Sequence, residues 1–171
     1  MQSCAKSMQE KMKKTDDKPR VVIAITESSP LSALWRAAMN LMGESPADLV
    51  ALFVDDDRWR RAASLPFTRE ISRVSGAMAD FTVQRAEQLN REAITRTRHR
   101  IEQLASKADL ALAFEVLPET DQNRIKELVG AGQNVLIAPS FITTRPIYAH
   151  MTRLDCRILL VEGAQEDPHG H

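Results

Sequence analysis

Short polar stretches follow three strongly apolar runs of the chain, and their residue types suit anion binding. The runs are VVIAI at 21–25, ADLVALFV at 47–54 and NVLIAP at 134–139. Hydroxyl groups and helix-terminal amides favour a phosphate or another anion, whereas carboxylates oppose one. The question is therefore whether a nucleotide or anion binds where these runs end. The candidate cleft residues are Thr26, Glu27, Ser28, Asp55, Ser140, Thr144 and Arg145.

Five apolar runs predict the strands that would position these residues. RVVIAI, at 20–25, is a continuous β-branched run typical of a strand buried on both faces, which favours a parallel sheet covered by helices. The other predicted strands are ADLVALFV (47–54), LALAFEVL (110–117), NVLIAPS (134–140) and CRILLVEG (156–163). Strands that alternate with helices predict an α/β fold, a doubly wound five-stranded parallel sheet with helices on both faces. Any ligand would then bind at the carboxyl ends of the strands.

Helical periodicity appears between these strands. Leu31, Leu34 and Ala38 belong to one apolar stripe closed by Gly43, and a longer stripe predicts a helix over about 80–108. DQNRIKELV predicts a short helix, and Thr143 or Thr144 is expected to cap another with Pro146 in its first turn. The segment 58–80 indicates a short helix within an irregular excursion.

Composition limits the partners and the compartment. The chain has 23 Lys plus Arg and 23 Asp plus Glu, so its net charge gives no reason to expect nucleic acid or an anionic membrane as partners. Cys4 and Cys156 are far apart and suit a reducing compartment. The first residues lack an apolar signal core, and no run approaches the roughly 18 apolar residues of a membrane span. We expect a cytoplasmic protein with a mobile polar leader over 1–18, one domain over 19–163 and a mobile tail over 164–171.

The quoted elements, together with the long Arg/Glu-rich helix and HMTRLDCRILLVEG, resemble the universal stress protein family over residues 20–163. The resemblance implies the sheet order 3-2-1-4-5. It also implies a homodimer that pairs through the last strand. The expected interface residues are Arg157, Ile158, Leu159, Leu160 and Val161.

The resemblance also allows the family's two nucleotide motifs to be compared with this chain. In IAITES, Thr26 stands where the family's Asp would be and Glu27 where its glycine would be. After the fourth strand, Pro139 replaces the first glycine of G-2x-G-9x-G-Ser/Thr, and Thr144 and Arg145 stand where Gly-Ser would be. Proline lacks the N–H that such a loop would donate, and side chains keep the backbone away from a phosphate. ATP binding in the family's usual mode is therefore not expected.

Two functions follow from this comparison. The first is a non-catalytic stress-response or regulatory protein without a cofactor, acting as a dimer or with a protein partner. The alternative is an ATP- or AMP-binding or anion-binding member that uses a rearranged loop after strand four. Its binding residues would be Thr26, Ser28, Ser140, Thr144 and Arg145.

The remaining polar clusters have structural interpretations that we favour. Asp55, Asp56 and Asp57 could hold Mg²⁺, but Asp57 suits the cap of a helix beginning at Arg58. RTRHR at 96–100 is interpreted as a solvated helix face in preference to an RNA-binding surface. TESSP lacks the glycines of a nucleophile elbow, and Cys156 is interpreted as a packing thiol. No catalytic residue and no metal site are assigned.

Overall fold

The computed structural model describes residues 18–55, 58–66, 68–73, 75–130 and 132–163. Residues 1–17, Asp56, Asp57 and 164–171 lie outside this part of the chain. The leader, the tail, the domain bounds and the aspartate cap at Arg58 therefore stay predictions.

Seven strands lie within the described residues, and five of them form one parallel sheet. The spatial order is β5-β2-β1-β6-β7, which is 3-2-1-4-5 when the sheet strands are numbered along the chain. This order and the parallel direction of every pair confirm the predicted doubly wound sheet. The strands are β1 (Arg20–Ile25), β2 (Asp48–Asp55), β3 (Arg69–Ile71), β4 (Met78–Asp80), β5 (Leu112–Pro118), β6 (Val135–Pro139) and β7 (Arg157–Val161).

Helices cover both faces of the sheet, as predicted. They are α1 (Leu31–Glu44), α2 (Arg58–Ala63), α3 (Val83–Lys107), α4 (Ile125–Val129) and α5 (Ile147–Met151). On one face, α1 and α3 pack in a core that contains Ile23, Leu34 and Ile101. On the other, the short helices α4 and α5 pack in a core that contains Leu52 and Met151. Because β1 is buried on both faces, its sequence is a continuous apolar run without alternation.

Helix boundaries differ from the sequence prediction where local hydrogen bonds decide them. The long helix α3 begins at Val83, not near Asp80, because the Thr82 hydroxyl accepts the Arg85 N–H at 3.1 Å and caps it. Helix α1 continues through Gly43 to Glu44. The predicted helix DQNRIKELV is divided, since Glu119–Arg124 is a 3₁₀ turn with non-helical Asp121, and only α4 is α-helical.

The excursion between β2 and α3 contains α2 and an antiparallel hairpin of β3 and β4. Glu70 of β3 holds the hairpin to α3. Its two carboxylate oxygens share the Arg85 Nε–H at 2.8 and 3.1 Å, and Oε1 also accepts from Arg85 Nη2 at 2.6 Å. This contact lowers the pKa of Glu70, mainly through the hydrogen bonds from Arg85. The hairpin was not predicted, since strands of three residues carry almost no periodic signal.

Candidate functional site

The parallel sheet brings the ends of β1, β2 and β6 to one edge. Thr26 follows β1, which lies between its two neighbours, while Asp55 ends β2 and Ser140 follows β6. The register pairs Ile25 with Phe53 on one side of β1. The structure therefore places the predicted cleft residues of three separate segments at the carboxyl edge of the sheet, where doubly wound folds bind ligands.

The turn after β1 is closed by its own hydrogen bonds. Ser29 Oγ accepts the Thr26 backbone N–H at 2.8 Å and lies 3.0 Å from Thr26 Oγ1. The Ser29 N–H in turn donates to the Thr26 carbonyl oxygen at 3.3 Å. Thr26 is 6% exposed and Ser29 is 4% exposed, whereas Ser28 is only partly buried. The polar groups of Thr26 are thus directed into the turn.

Two carboxylates of the edge are bound by α3. Glu27, whose side chain is 11% exposed, has Oε1 3.9 Å from Arg96 Nη2. Asp55 Oδ2 accepts a hydrogen bond from Asn90 Nδ2 at 2.8 Å. Both acids come from the ends of adjacent strands, and α3 supplies a polar partner to each, a cation to Glu27 and a neutral amide to Asp55.

The loop after β6 is a compact 3₁₀ turn, Ser140–Thr144, that directly follows the buried Pro139. The Thr143 hydroxyl donates to the Ser140 carbonyl at 3.1 Å, and the Thr144 hydroxyl donates to the Phe141 carbonyl at 2.8 Å. The predicted capping role of Thr143 or Thr144 is therefore wrong. Pro146 precedes α5 instead, and no side chain caps this helix, since both hydroxyls satisfy carbonyls three residues back.

The predicted loop residue Arg145 lies over an aromatic ring. Its guanidinium carbon is 6.0 Å from the centroid of Phe141, at the limit of a cation–π contact. The Arg145 backbone N–H donates to the Ile142 carbonyl at 2.9 Å. These contacts hold the end of the 3₁₀ turn in place, so the loop is a defined structure rather than an open glycine-rich strap.

The chain that leaves β7 packs against the beginning of α1. A Cβ atom at Gly163 would lie 3.0 Å from Pro30 Cβ and 3.2 Å from Pro30 Cγ, closer than ordinary van der Waals contact. Pro30 is itself buried and precedes the first residue of α1. The backbone at Gly163 therefore covers the start of the helix that follows β1.

The described residues contain no group of three or more His, Cys, Asp or Glu side chains that could hold a metal ion. The proposed Mg²⁺ alternative at Asp55–Asp57 depends on two residues outside this part of the chain. Within the same part, no helix combines the length and the hydropathy that a membrane crossing requires.

A cavity of about 580 Å³ lies at the opposite, amino edge of the sheet. It is bounded by the first residues of β1, β6 and β7 and by the C-terminal turn of α1. Its lining includes Arg20, Asn134 and Cys156. Burial raises the pKa of the Cys156 thiol, and the neighbouring Asp155 carboxylate raises it further. The thiol is therefore protonated near neutral pH, in keeping with the packing role predicted for it.

Sequence reasoning did not assign Ser29, Asn90 or Arg96 to the edge. Asn90 lies on the buried stripe of α3, four residues after Ala86 and three before Ala93, and Arg96 lies at the edge of this stripe. A polar residue on an apolar stripe was therefore the available signal for Asn90, but it does not say which acid the side chain meets.

The chain is similar to a solved structure, but not to any family model or curated sequence. No protein-family model matches the chain, and no curated protein sequence matches it. Among solved structures, the chain is similar to a protein from the universal stress protein family of Burkholderia pseudomallei. The two share 16% sequence identity with a TM-score of 0.48, over 84% of this chain and 95% of that one.

Proposed function

We propose that this chain is a non-catalytic stress-response or regulatory protein of the universal-stress-protein kind that does not bind ATP in that family's usual mode. The observation that carries the proposal is the closed turn after β1. There, Thr26 replaces the acidic residue of the family motif, and its N–H and hydroxyl interact with Ser29. A nucleotide would have to break these buried contacts before it could use the same groups, which costs free energy.

The segment after β6 supports the same proposal. A phosphate-binding loop needs successive backbone N–H groups that approach the ligand closely. Here Pro139 has no N–H, and the following residues form a 3₁₀ turn whose two threonine hydroxyls donate to its own carbonyls. Glu27 and Asp55 add negative charge at the same edge, which opposes a triphosphate electrostatically.

Calorimetric titration of the full chain with ATP and with AMP, each with and without Mg²⁺, tests the absence of nucleotide binding. We expect no saturable heat at micromolar nucleotide. Native mass spectrometry of protein purified without added nucleotide should likewise show no nucleotide mass. Saturable binding that Arg145→Ala abolishes and Arg153→Ala leaves unchanged would instead support the nucleotide- or anion-binding alternative through the loop after β6.

We also propose a homodimer through β7. This strand ends the sheet, so one of its backbone edges has no partner strand among the residues that the structure describes. Leu159 is 36% exposed and Leu160 is 38% exposed, which leaves apolar surface at this edge. An exposed apolar edge strand is a template for pairing with another chain. The interface residues remain those predicted, Arg157, Ile158, Leu159, Leu160 and Val161.

Sedimentation analysis of a charged variant tests the dimer. Leu160→Glu should convert a dimer to a monomer, since a buried charge at an interface lacks compensation. Leu65→Glu is the matched control, because Leu65 is 61% exposed and lies in the excursion between β2 and α3. A wild-type monomer, or a dimer that survives Leu160→Glu, would show that β7 is not the interface.

A further inference from the structure

The hairpin of β3 and β4 exposes two large apolar side chains next to each other. Ile71 and Met78 are partners in the register of the two strands. They are 63% and 58% exposed, more than Leu159 or Leu160 on β7. Neighbouring apolar side chains that are this exposed mark a candidate surface for contact with another molecule.

The exposed pair lies on the face of the hairpin that points away from α3. The Glu70 side chain is bound to α3 through its hydrogen bonds with Arg85. Successive side chains of a strand point to opposite faces, so the neighbours of Glu70 in β3 are directed away from this helix. Together with their cross-strand partners in β4, they form what we call the outer face of the hairpin, which comprises Arg69, Ile71, Met78 and Asp80.

The outer face also carries one positive and one negative charge. Arg69 and Asp80 are opposite each other in the register, and both are exposed. Among the described residues, neither of them forms an ion pair or a side-chain hydrogen bond. One half of the outer face is therefore an apolar pair, and the other half is a cation beside an anion.

This arrangement is complementary to itself. When two outer faces meet about a two-fold axis parallel to the strands, β3 of one copy lies over β4 of the other. Arg69 then meets the partner's Asp80, and this ion pair forms twice. Ile71 meets the partner's Met78, also twice. A two-fold axis across the strands would instead put Arg69 over the partner's Ile71, so the register favours the first arrangement.

The size of the outer face limits the strength of such a contact. Each strand of the hairpin has three residues, so the contact buries less than the roughly 1,200 Å² of the smallest stable complexes. Burial of the apolar pair supplies the attraction, while the exposed ion pairs mainly fix the orientation of the two copies. Association through this face is therefore weak and depends on protein concentration.

We propose that the outer face of the hairpin is a self-association surface on which a second copy of this chain docks about a two-fold axis parallel to β3 and β4. The two hairpin strands are not part of the five-stranded sheet, so this surface is separate from β7. The inference does not depend on the pairing proposed for β7. A chain that uses both surfaces joins dimers into larger assemblies as its concentration rises.

Charge reversal tests the orientation of the two copies. In Arg69→Asp the contact brings two carboxylates together, and in Asp80→Arg it brings two guanidinium groups together. We expect each variant to associate about tenfold more weakly than the wild type, because like charges repel across an interface. Sedimentation equilibrium between about 5 µM and about 500 µM measures the rise of the average mass with concentration. Association through β7 is common to all these chains, so comparison with the wild type removes its contribution.

Mixing the two variants restores opposite charges at the contact. The carboxylate introduced at position 69 of one chain meets the guanidinium introduced at position 80 of the other, and the unchanged Arg69 and Asp80 meet as before. We expect the equimolar mixture to associate as the wild type does, although neither variant does so alone. The double variant Arg69→Asp with Asp80→Arg should also associate, because it exchanges both charges. Hydrogen exchange of the hairpin amides shows whether each variant keeps the hairpin.

The apolar pair needs a separate test. Ile71→Thr with Met78→Thr keeps a residue type that favours strands but removes apolar area, so we expect association to be lost. Arg153→Asp is the control, since it reverses an exposed charge after α5 and should leave association unchanged.

Three results would overturn the proposal. The first is a wild-type mass that does not rise with concentration. The second is association of the single charge-reversed variants at the wild-type level. The third is a mixture or a double variant that stays dissociated although its hairpins are folded.

Discussion

Ser29 Oγ accepts the backbone N–H of Thr26 at 2.8 Å, and the two hydroxyl oxygens, on side chains of residues that are almost fully buried, lie 3.0 Å apart. The contact joins the end of β1 to the start of α1. Through this contact, the Thr26 N–H and hydroxyl are engaged by Ser29 at the position where a phosphate site was considered from the sequence. Its first consequence is for stability.

Removing the Ser29 hydroxyl should destabilise the protein. Ser29→Ala leaves the buried Thr26 N–H and hydroxyl without this partner, so we expect the free energy of unfolding to fall by about 1–3 kcal/mol. Ser28→Ala is the matched control, and it should change stability by less than about 0.5 kcal/mol because Ser28 is partly exposed. Urea denaturation followed by circular dichroism measures both. Equal effects of the two variants would show that the closed turn is not a stabilising element.

Two glycines should respond to alanine with opposite signs. Gly43 lies inside α1, and a Cβ atom there would meet nothing within 4 Å, so Gly43→Ala should stabilise the protein by about 0.5–1 kcal/mol. Gly163→Ala should destabilise it, because the new methyl group would press on Pro30 at 3.0 Å. Thermal unfolding of both variants measures the two shifts. A stabilising Gly163→Ala would mean that the chain after β7 does not pack on α1.

Cys156 should react slowly with alkylating reagents at neutral pH. Burial and the Asp155 carboxylate raise the pKa of its thiol, so the thiolate fraction at pH 7 is small. Iodoacetamide labelling can be followed at the Cys156 peptide as a function of pH. The labelling rate should rise at a higher pH than it does for an ordinary, exposed thiol. Asp155→Asn should shift this profile to lower pH, and Asp109→Asn, an exposed acid far along the chain, should not. Rapid labelling at pH 7 would contradict the packing role.

Acid should release the hairpin of β3 and β4 from α3. The Arg85 guanidinium lowers the pKa of Glu70, so the contact contributes fully above the pKa of Glu in the unfolded chain and is lost as the pH falls through the lower folded value. Hydrogen exchange of the hairpin amides, corrected for intrinsic rates, should therefore be constant above about pH 5 and accelerate below about pH 4.

Substitution isolates this acid effect. Glu70→Gln should exchange faster than the wild type at pH 7 and lose most of the pH dependence, because its amide cannot form the ion pair. Glu44→Gln, at the exposed end of α1, is the control and should behave as the wild type. A hairpin whose exchange is unaffected by Glu70→Gln would show that it is held by other contacts.

The sequence by itself determined the scaffold. Continuous β-branched and apolar runs such as residues 21–25 predict strands buried on both faces, and the stripes of α1 and α3 predict the helices that cover them. These signals are local, because burial of a strand or helix face requires apolar residues at a fixed period. The resemblance to a known family then added the strand order, which the structure confirms.

Only the tertiary structure decided what the polar residues at the carboxyl edge contact. Asp55, at the end of β2, accepts a hydrogen bond from Asn90, which is 35 positions away in the sequence. Glu27, which follows the neighbouring strand β1, lies within ion-pair distance of Arg96. No periodicity encodes such pairs, since they depend on how α3 lies across the sheet. The same holds for the segment between β5 and β6, where a predicted longer helix is partly a 3₁₀ turn. The length of the α-helix there depends on the competition between 3₁₀ and α-helical hydrogen bonds. The apolar pattern of the sequence does not predict which of them forms.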